Sequence, residues 1–352
     1  MIDKTKVNTI GVIGPNADSR AALIGNYHGT SSEYITVLEG IREEAGDDVR
    51  ILYSQGCDLY KDKVENLAWD QDRISEAVIT AENSDVVILC VGLDETLEGE
   101  EGDTGNSDAS GDKVDLHLPK VQEELIEKVT AVGKPTIVVL MAGSAIDLNY
   151  AQDNCNGILL AWYPGARGGR AIADLLFGKE SPSGKLPVTF YKDLEGMPEF
   201  TDYSMKNRTY RYMEKEALYP FGYGLTYSDT CVTEAEVVGE VSAESDIMLK
   251  ATVKNNGTVD TDEVVQVYIK DLDSPLAVRN YSLCGFKRVS LKAGEEKSVE
   301  FTISNKAMNI VDEDGNRYIA GKHFRLFAGV SQPDTRSAEL TGHKPAEVEI
   351  AL

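Results

Sequence analysis

The chain has 352 residues, 42% of them hydrophobic and 27% charged, which makes it globular rather than disordered, with material for two cores. Its 35 Lys and Arg against 59 Asp and Glu leave a net charge of −24. That balance disfavours nucleic acid, whose phosphates need a basic footprint, and it disfavours anionic membrane surfaces. The bland reading of the acidity is solubility.

The five cysteines form no CxxC pair and are odd in number, and the four histidines are scattered. Reduced, mostly buried thiols are expected, with no disulfide framework, no metal centre and no cofactor. The N-terminal run MIDKTK is no apolar signal region, and no stretch approaches the roughly 18 apolar residues of a membrane span. The chain as it stands therefore reads as cytoplasmic, and the sequons at Asn207, Asn256 and Asn280 need carry no meaning.

Val7 to Gly14 (VNTIGVIG) is a short apolar strand, followed by the turn Pro15-Asn16-Ala17-Asp18 and a helix-like run from Arg20 to Leu23. This is the opening of an α/β unit. Gly11 and Gly14 lack the third glycine of a dinucleotide fingerprint, and Pro15 occupies the turn. Gly25-Asn26-Tyr27-His28-Gly29-Thr30 is a polar loop. Thr36 to Ala45 places Val37, Leu38 and Ile41 on one helical face. A second strand is expected at Val49 to Tyr53 and a helix at Ile74 to Glu82.

The next strand, Asp85 to Val91, is a continuous apolar run that ends at Gly92 and delivers a glycine-broken loop. That loop carries Asp94, Glu95, Glu98, Glu100, Glu101 and Asp103. A helix at Val121 to Val132, a strand at Thr136 to Met141, a strand at Gly157 to Ala161 and a helix around Gly168 to Phe177 complete the series. Apolar runs alternating with amphipathic helices indicate a mostly parallel sheet covered on both faces. Gly168 and Gly169 are expected to permit close helix–sheet packing.

The composition changes after Asp229. Ile247 to Lys254, Val264 to Ile269, Phe286 to Leu291, Ser298 to Ile303 and Phe324 to Val330 read as short strands separated by turns. That spacing marks an antiparallel β-sandwich, with Tyr268 and Phe286 expected in its core. The expected organisation is an α/β domain over 1–228 and an all-β sandwich over 229–352, with no internal repeat.

Three readings of the acidic loop stand side by side. Crowded carboxylates resist joint ionisation, so one of them can serve as a general acid at the sheet edge. Asp103, Asn106, Asp108 and Asp112 have a composition loosely suited to calcium, without the glycine and closing glutamate of an EF-hand. The third reading is a solvated acidic loop.

The run GLDETLEGEEGD, the segment Trp162 to Phe190 and the segment Asn207 to Ser228 resemble the C-terminal α/β domain of family 3 glycoside hydrolases, the family of β-glucosidases and β-xylosidases. The stretch from Lys254 through VVQVYIKD and LCGFKRVSLKAGEEKSVEFTI resembles the fibronectin type III-like domain appended to it. The resemblance covers essentially the whole chain, and the motifs PSGKLPVTF and YPFGYGLTYS are long and specific. It implies retaining hydrolysis of β-glycosidic bonds in β-linked oligosaccharides, which needs two carboxylates.

In the family the nucleophile is an aspartate on an N-terminal (β/α)8 barrel. The acid/base is a loop glutamate in a Glu-Gly-x-Asp pattern. Glu100 stands three positions before Asp103, but Glu101 occupies the glycine position, so Glu101 and Glu98 are runners-up. No barrel is expected within this chain, so the acid/base would need a barrel partner in cis or in trans, and the chain alone is expected to be weak or inactive. Asn26 and Tyr27 are candidates for the rim of the sugar site beside a plain surface-turn reading. Trp162 and Tyr163 are candidates for its border beside a packing reading. The alternative for the whole chain is a non-catalytic carbohydrate-binding or assembly module.

Overall fold

The computed structural model of the chain describes residues 1–63, 65–69, 71–100 and 111–352. It divides into two compact units, Met1–Glu180 and Ser181–Leu352.

The first unit runs β1 (Thr9–Ile13), α1 (Ala21–Ile24), α2 (Val37–Ala45), β2 (Arg50–Ser54), α3 (Asp72–Glu82), β3 (Val86–Gly92), α4 (Lys120–Thr130), β4 (Thr136–Met141), α5 (Asn149–Asn154), β5 (Gly157–Leu160) and α6 (Gly168–Leu176). Among the described residues its five strands are parallel, in the order β2-β1-β3-β4-β5. β3 lies at the centre and every one of its residues is buried, which is why it reads as an unbroken apolar run. α2 begins where Thr36 accepts from the Glu39 backbone N–H and Glu39 Oε2 accepts from the Thr36 N–H at 2.8 Å. Such a capping box is worth about 1 kcal/mol and fixes the helix start.

The close approach at Gly169 is helix to helix, not helix to sheet. A Cβ on Gly169 would lie 1.8 Å from the Thr36 carbonyl oxygen, and one on Gly40 of α2 would lie 2.1 Å from the Gly169 carbonyl oxygen. Both helices share one face of the sheet, and their backbones meet where neither carries a side chain.

Glu44, near the end of α2, takes Lys4 at 3.0 Å and also Lys179, with its side chain 11% exposed. Burial opposes its charge, but the two ammonium groups outweigh burial and hold its carboxyl below the usual range. A carboxyl depressed in the folded state stabilises above its unfolded pKa, and that contribution is lost as pH falls through the folded value. Glu44→Gln is therefore expected to lower the melting temperature at pH 7 by about 2–4 °C. The gap from wild type should close as pH drops below the ordinary carboxyl value of 4.5. Thermal scans across pH that show the gap widening in acid would refute this.

The second unit runs β6 (Phe190–Tyr191), α7 (Thr209–Tyr212), β7 (Ala217–Tyr219), β8 (Thr230–Val238), β9 (Ile247–Asn255), β10 (Thr261–Asp271), β11 (Ser282–Leu291), β12 (Glu296–Ile303), β13 (Ile310–Val311), β14 (Arg317–Tyr318), β15 (His323–Gly329), α8 (Thr335–Thr341) and β16 (Ala346–Ala351). Two antiparallel sheets, β11-β10-β15-β16 and β12-β9-β8, enclose a core that includes Val265, Val267, Leu249, Val253, Phe301 and Phe324. The architecture is thus an α/β layer structure with a parallel sheet, followed by an all-β sandwich of the fibronectin type III-like kind.

Tyr268 is fully buried, but on the opposite face of β10 from that core, in a cluster with Tyr210, Tyr281 and Phe327. The Tyr210 ring stacks on Phe221 at 4.3 Å. Phe286 departs from expectation: it is 70% exposed. It pairs with Gln266, which points away from the inter-sheet core, and it does so from the edge strand β11. Directly paired residues share a face, so the register carries Phe286 outward.

Candidate active site

In a 2-1-3-4-5 sheet the strand order reverses between β1 and β3, and ligands bind beyond the carboxyl ends of the strands at that point. The acidic loop leaves β3 there. Its departure is fixed by Gln122 of α4, which is fully buried. Gln122 Oε1 accepts from the Gly92 N–H at 2.8 Å, and its Nε2 donates to the carbonyls of Gly92 and Leu59, both at 2.7 Å. Asn16, after β1, donates from Nδ2 to the Leu93 carbonyl at 3.0 Å. The Leu93 N–H donates to the Met141 carbonyl at 2.7 Å.

Gln122→Met keeps the volume but leaves a backbone N–H and two carbonyls without this partner. Each unsatisfied buried group costs about 1–3 kcal/mol, so with three groups affected a total loss of at least about 3 kcal/mol is expected. Equilibrium denaturation checks it, and a change below about 1 kcal/mol would show that water replaces the amide.

From Asp94 the loop turns on itself. Asp94 Oδ1 accepts from the Thr96 N–H at 2.8 Å and from the Thr96 hydroxyl at 2.6 Å. The N–H of Glu98 donates to the Asp94 carbonyl at 2.9 Å. This places the partly buried Glu98 carboxylate against the loops that follow β4 and β5. Its Oε2 accepts from the Gly143 N–H at 2.6 Å and from the Tyr163 hydroxyl at 2.6 Å, while its Oε1 accepts from the Ser144 hydroxyl. Burial, then the Glu98 charge and hydrogen bond, push the Tyr163 phenol well above its ordinary range, so it stays a donor at neutral pH.

Two glycines make room for the Tyr163 ring. A Cβ on Gly25 would lie 2.6 Å from Cδ2, and one on Gly143 would lie 3.0 Å from Cε2. Lys113, on the returning limb of the loop, donates to the Ala145 carbonyl at 3.3 Å and feels the charges of Glu98 and Asp115. Burial lowers its pKa, against the pull of those carboxylates.

The sequence candidates distribute as follows. Glu100 is exposed, two residues beyond the held Glu98. Glu101 lies outside the described residues, as do Asp103, Asn106 and Asp108 of the calcium reading. Asn26 and the 77% exposed Tyr27 belong to a loop that reaches the same edge: Gly25 meets Tyr163, and His28 Nε2 lies 3.0 Å from Glu95 Oε2. Trp162 directly precedes Tyr163, with a left-handed φ of 53°. Gln122, Ser144 and the hydroxyl role of Tyr163 are not marked by any local pattern. Only the aromatic character of Tyr163 stands out in sequence. Among the described residues, no group of three or more His, Cys, Asp or Glu could hold a metal ion. The cysteines are free thiols, and burial pushes Cys57 up to about 12 and Cys155 to about 11.

Residues 2–227 match the model of the glycosyl hydrolase family 3 C-terminal domain, and residues 263–332 match a fibronectin type III-like domain. A β-xylosidase of Formosa agariphila is 34% identical over 354 residues, covering 97% of this chain and 47% of that protein. A xylan 1,4-β-xylosidase of Xylanibacter ruminicola is 39% identical over 270 residues, covering 76% of this chain and 31% of that protein. A β-glucosidase structure from Erythrobacter marinus superposes with a TM-score of 0.82 at 30% identity, covering all of this chain and 47% of that one. The chain thus spans about half the length, or less, of the relatives it matches.

Proposed function

The chain belongs to glycosyl hydrolase family 3, and on that premise we propose that it is the acid/base-bearing portion of a retaining β-glycosidase acting on β-glucosides or β-xylosides. The observation that carries this reading is the exposed Glu100 on the loop after β3, at the switch point of the sheet, beside a second carboxylate already engaged by three donors. In this reading Glu100 protonates the departing glycosidic oxygen and then, as carboxylate, activates the water that releases the sugar. Glu98 is the weaker candidate because its oxygens already accept from Gly143, Ser144 and Tyr163. The nucleophile comes from a (β/α)8 barrel in cis or in trans. Asn26, Tyr27 and Trp162 stand at the loops that would border the sugar.

The test is complementation. The purified chain is assayed on aryl β-glucoside and aryl β-xyloside, alone and with a cognate barrel half. Turnover is expected only with the barrel. Oligosaccharide binding by calorimetry with no turnover beside any barrel would favour a carbohydrate-binding module instead.

A further inference from the structure

We propose that Glu98 is the positioning residue of the acid/base loop: its carboxylate ties the loop after β3 to the loops after β4 and β5 and so sets where Glu100 stands. This rests on the reading of Glu100 as acid/base.

Three donors from two other loops converge on Glu98, namely the Gly143 N–H, the Ser144 hydroxyl and the Tyr163 hydroxyl. Hydrogen bonds to an ionised acceptor are about twice as strong as neutral ones, and these act together as one brace. Two residues span at most about 7 Å, so a fixed Glu98 confines the backbone of Glu100. From the other side the returning chain closes on it: a Cβ on Gly111 would lie 2.4 Å from the Glu100 carbonyl oxygen. Gly99 directly precedes Glu100, so local backbone preference does not hold Glu100 in place. The brace supplies what that glycine takes away. Tyr163 is its keystone, because its ring is seated between Gly25 and Gly143 and its hydroxyl cannot swing elsewhere without displacing them.

A proton donor misplaced by about 1 Å can cost about 10²-fold in rate. In the chain complemented by a barrel, Glu98→Ala is therefore expected to lower kcat about 10²-fold and Tyr163→Phe about tenfold, with KM changed less. Both should keep the basic limb of the pH–rate profile, since the titrating donor remains, whereas Glu100→Ala should abolish that limb. The brace is also read without activity. Backbone amides of Leu97 to Glu100 and of Gly143 and Ser144 should exchange hydrogen about tenfold faster or more in Glu98→Ala and Tyr163→Phe than in wild type, with the melting temperature little changed in Tyr163→Phe.

Loss of the basic limb in Glu98→Ala would make Glu98 the acid/base itself and overturn the proposal. Unchanged loop exchange in Tyr163→Phe would overturn it as well. If the complemented wild type shows no turnover, the functional reading fails, while the exchange experiment still decides the brace.

Discussion

Glu100→Ala, assayed beside an active barrel half, should lose about 10²–10⁴-fold of kcat/KM on phenyl glycosides, the usual contribution of one general acid/base. The loss follows from where the proton must go. A phenolate of ordinary basicity leaves poorly unless its oxygen is protonated as the bond to the anomeric carbon breaks. A dinitrophenolate leaves without help, so on dinitrophenyl glycosides the first step should survive. The second step should not, because water then attacks the glycosyl–enzyme ester with no carboxylate to take its proton. The expected record is a burst of one dinitrophenolate per active site, then slow turnover. Glu101→Ala, one residue on, should stay within about threefold of wild type, since the reaction needs a single acid/base on this loop. Full activity of Glu100→Ala, or the burst appearing in Glu101→Ala instead, would move the assignment.

Lys185→Met should cost about 3–5 kcal/mol of stability, because it breaks a buried ion pair from one side. Lys185 Nζ lies 2.8 Å from Glu263 Oε1, and the two side chains are 8% and 2% exposed. Around them the polar groups are matched. Lys185 donates to the Gly224 carbonyl at 2.6 Å, Thr230 donates to Glu263 Oε2 at 2.5 Å, and the Val264 N–H donates to Glu263 Oε1 at 2.6 Å. This pair pins the 181–227 segment to the sandwich strand β10. Gly224 brings the backbone close enough, since a Cβ there would lie 2.1 Å from the Gly184 carbonyl oxygen.

Removing only the cation strands a buried carboxylate, whereas removing both charges need not destabilise. The double variant Lys185→Met, Glu263→Met should therefore recover most of the loss. Urea unfolding followed by circular dichroism, read in the transition of the β-rich unit, measures both. Equal losses for the single and double variants would mean that packing, not charge, governs the site.

Much of this molecule is written in its linear pattern. β3 is legible because a strand buried on both faces must be apolar throughout, and α2 because Val37, Leu38 and Ile41 recur at helical spacing in front of a capping box. The acidic loop and its place at a sheet edge follow from the same pattern, and the family from long motifs. Strands β8 and β16 lie outside the strand runs named from sequence. In β8 charged and apolar residues mix, because its exposed and half-exposed positions alternate irregularly around a register shift.

What the linear order determined was therefore the type of the elements that build the parallel sheet and most of the sandwich core, and the presence of a carboxylate-rich loop. What only the tertiary structure decided was which carboxylate is engaged. Glu98 and Glu100 are two residues apart and chemically the same. They differ because Gly143, Ser144 and Tyr163, 45 to 65 residues downstream, converge on Glu98 through strands β4 and β5. The same holds for Phe286, turned outward by its pairing with Gln266, and for Gln122, which clamps a glycine 30 residues earlier. Local pattern records which surface a residue must bury. Hydrogen-bond partners are chosen by strand order and register, which no short window contains.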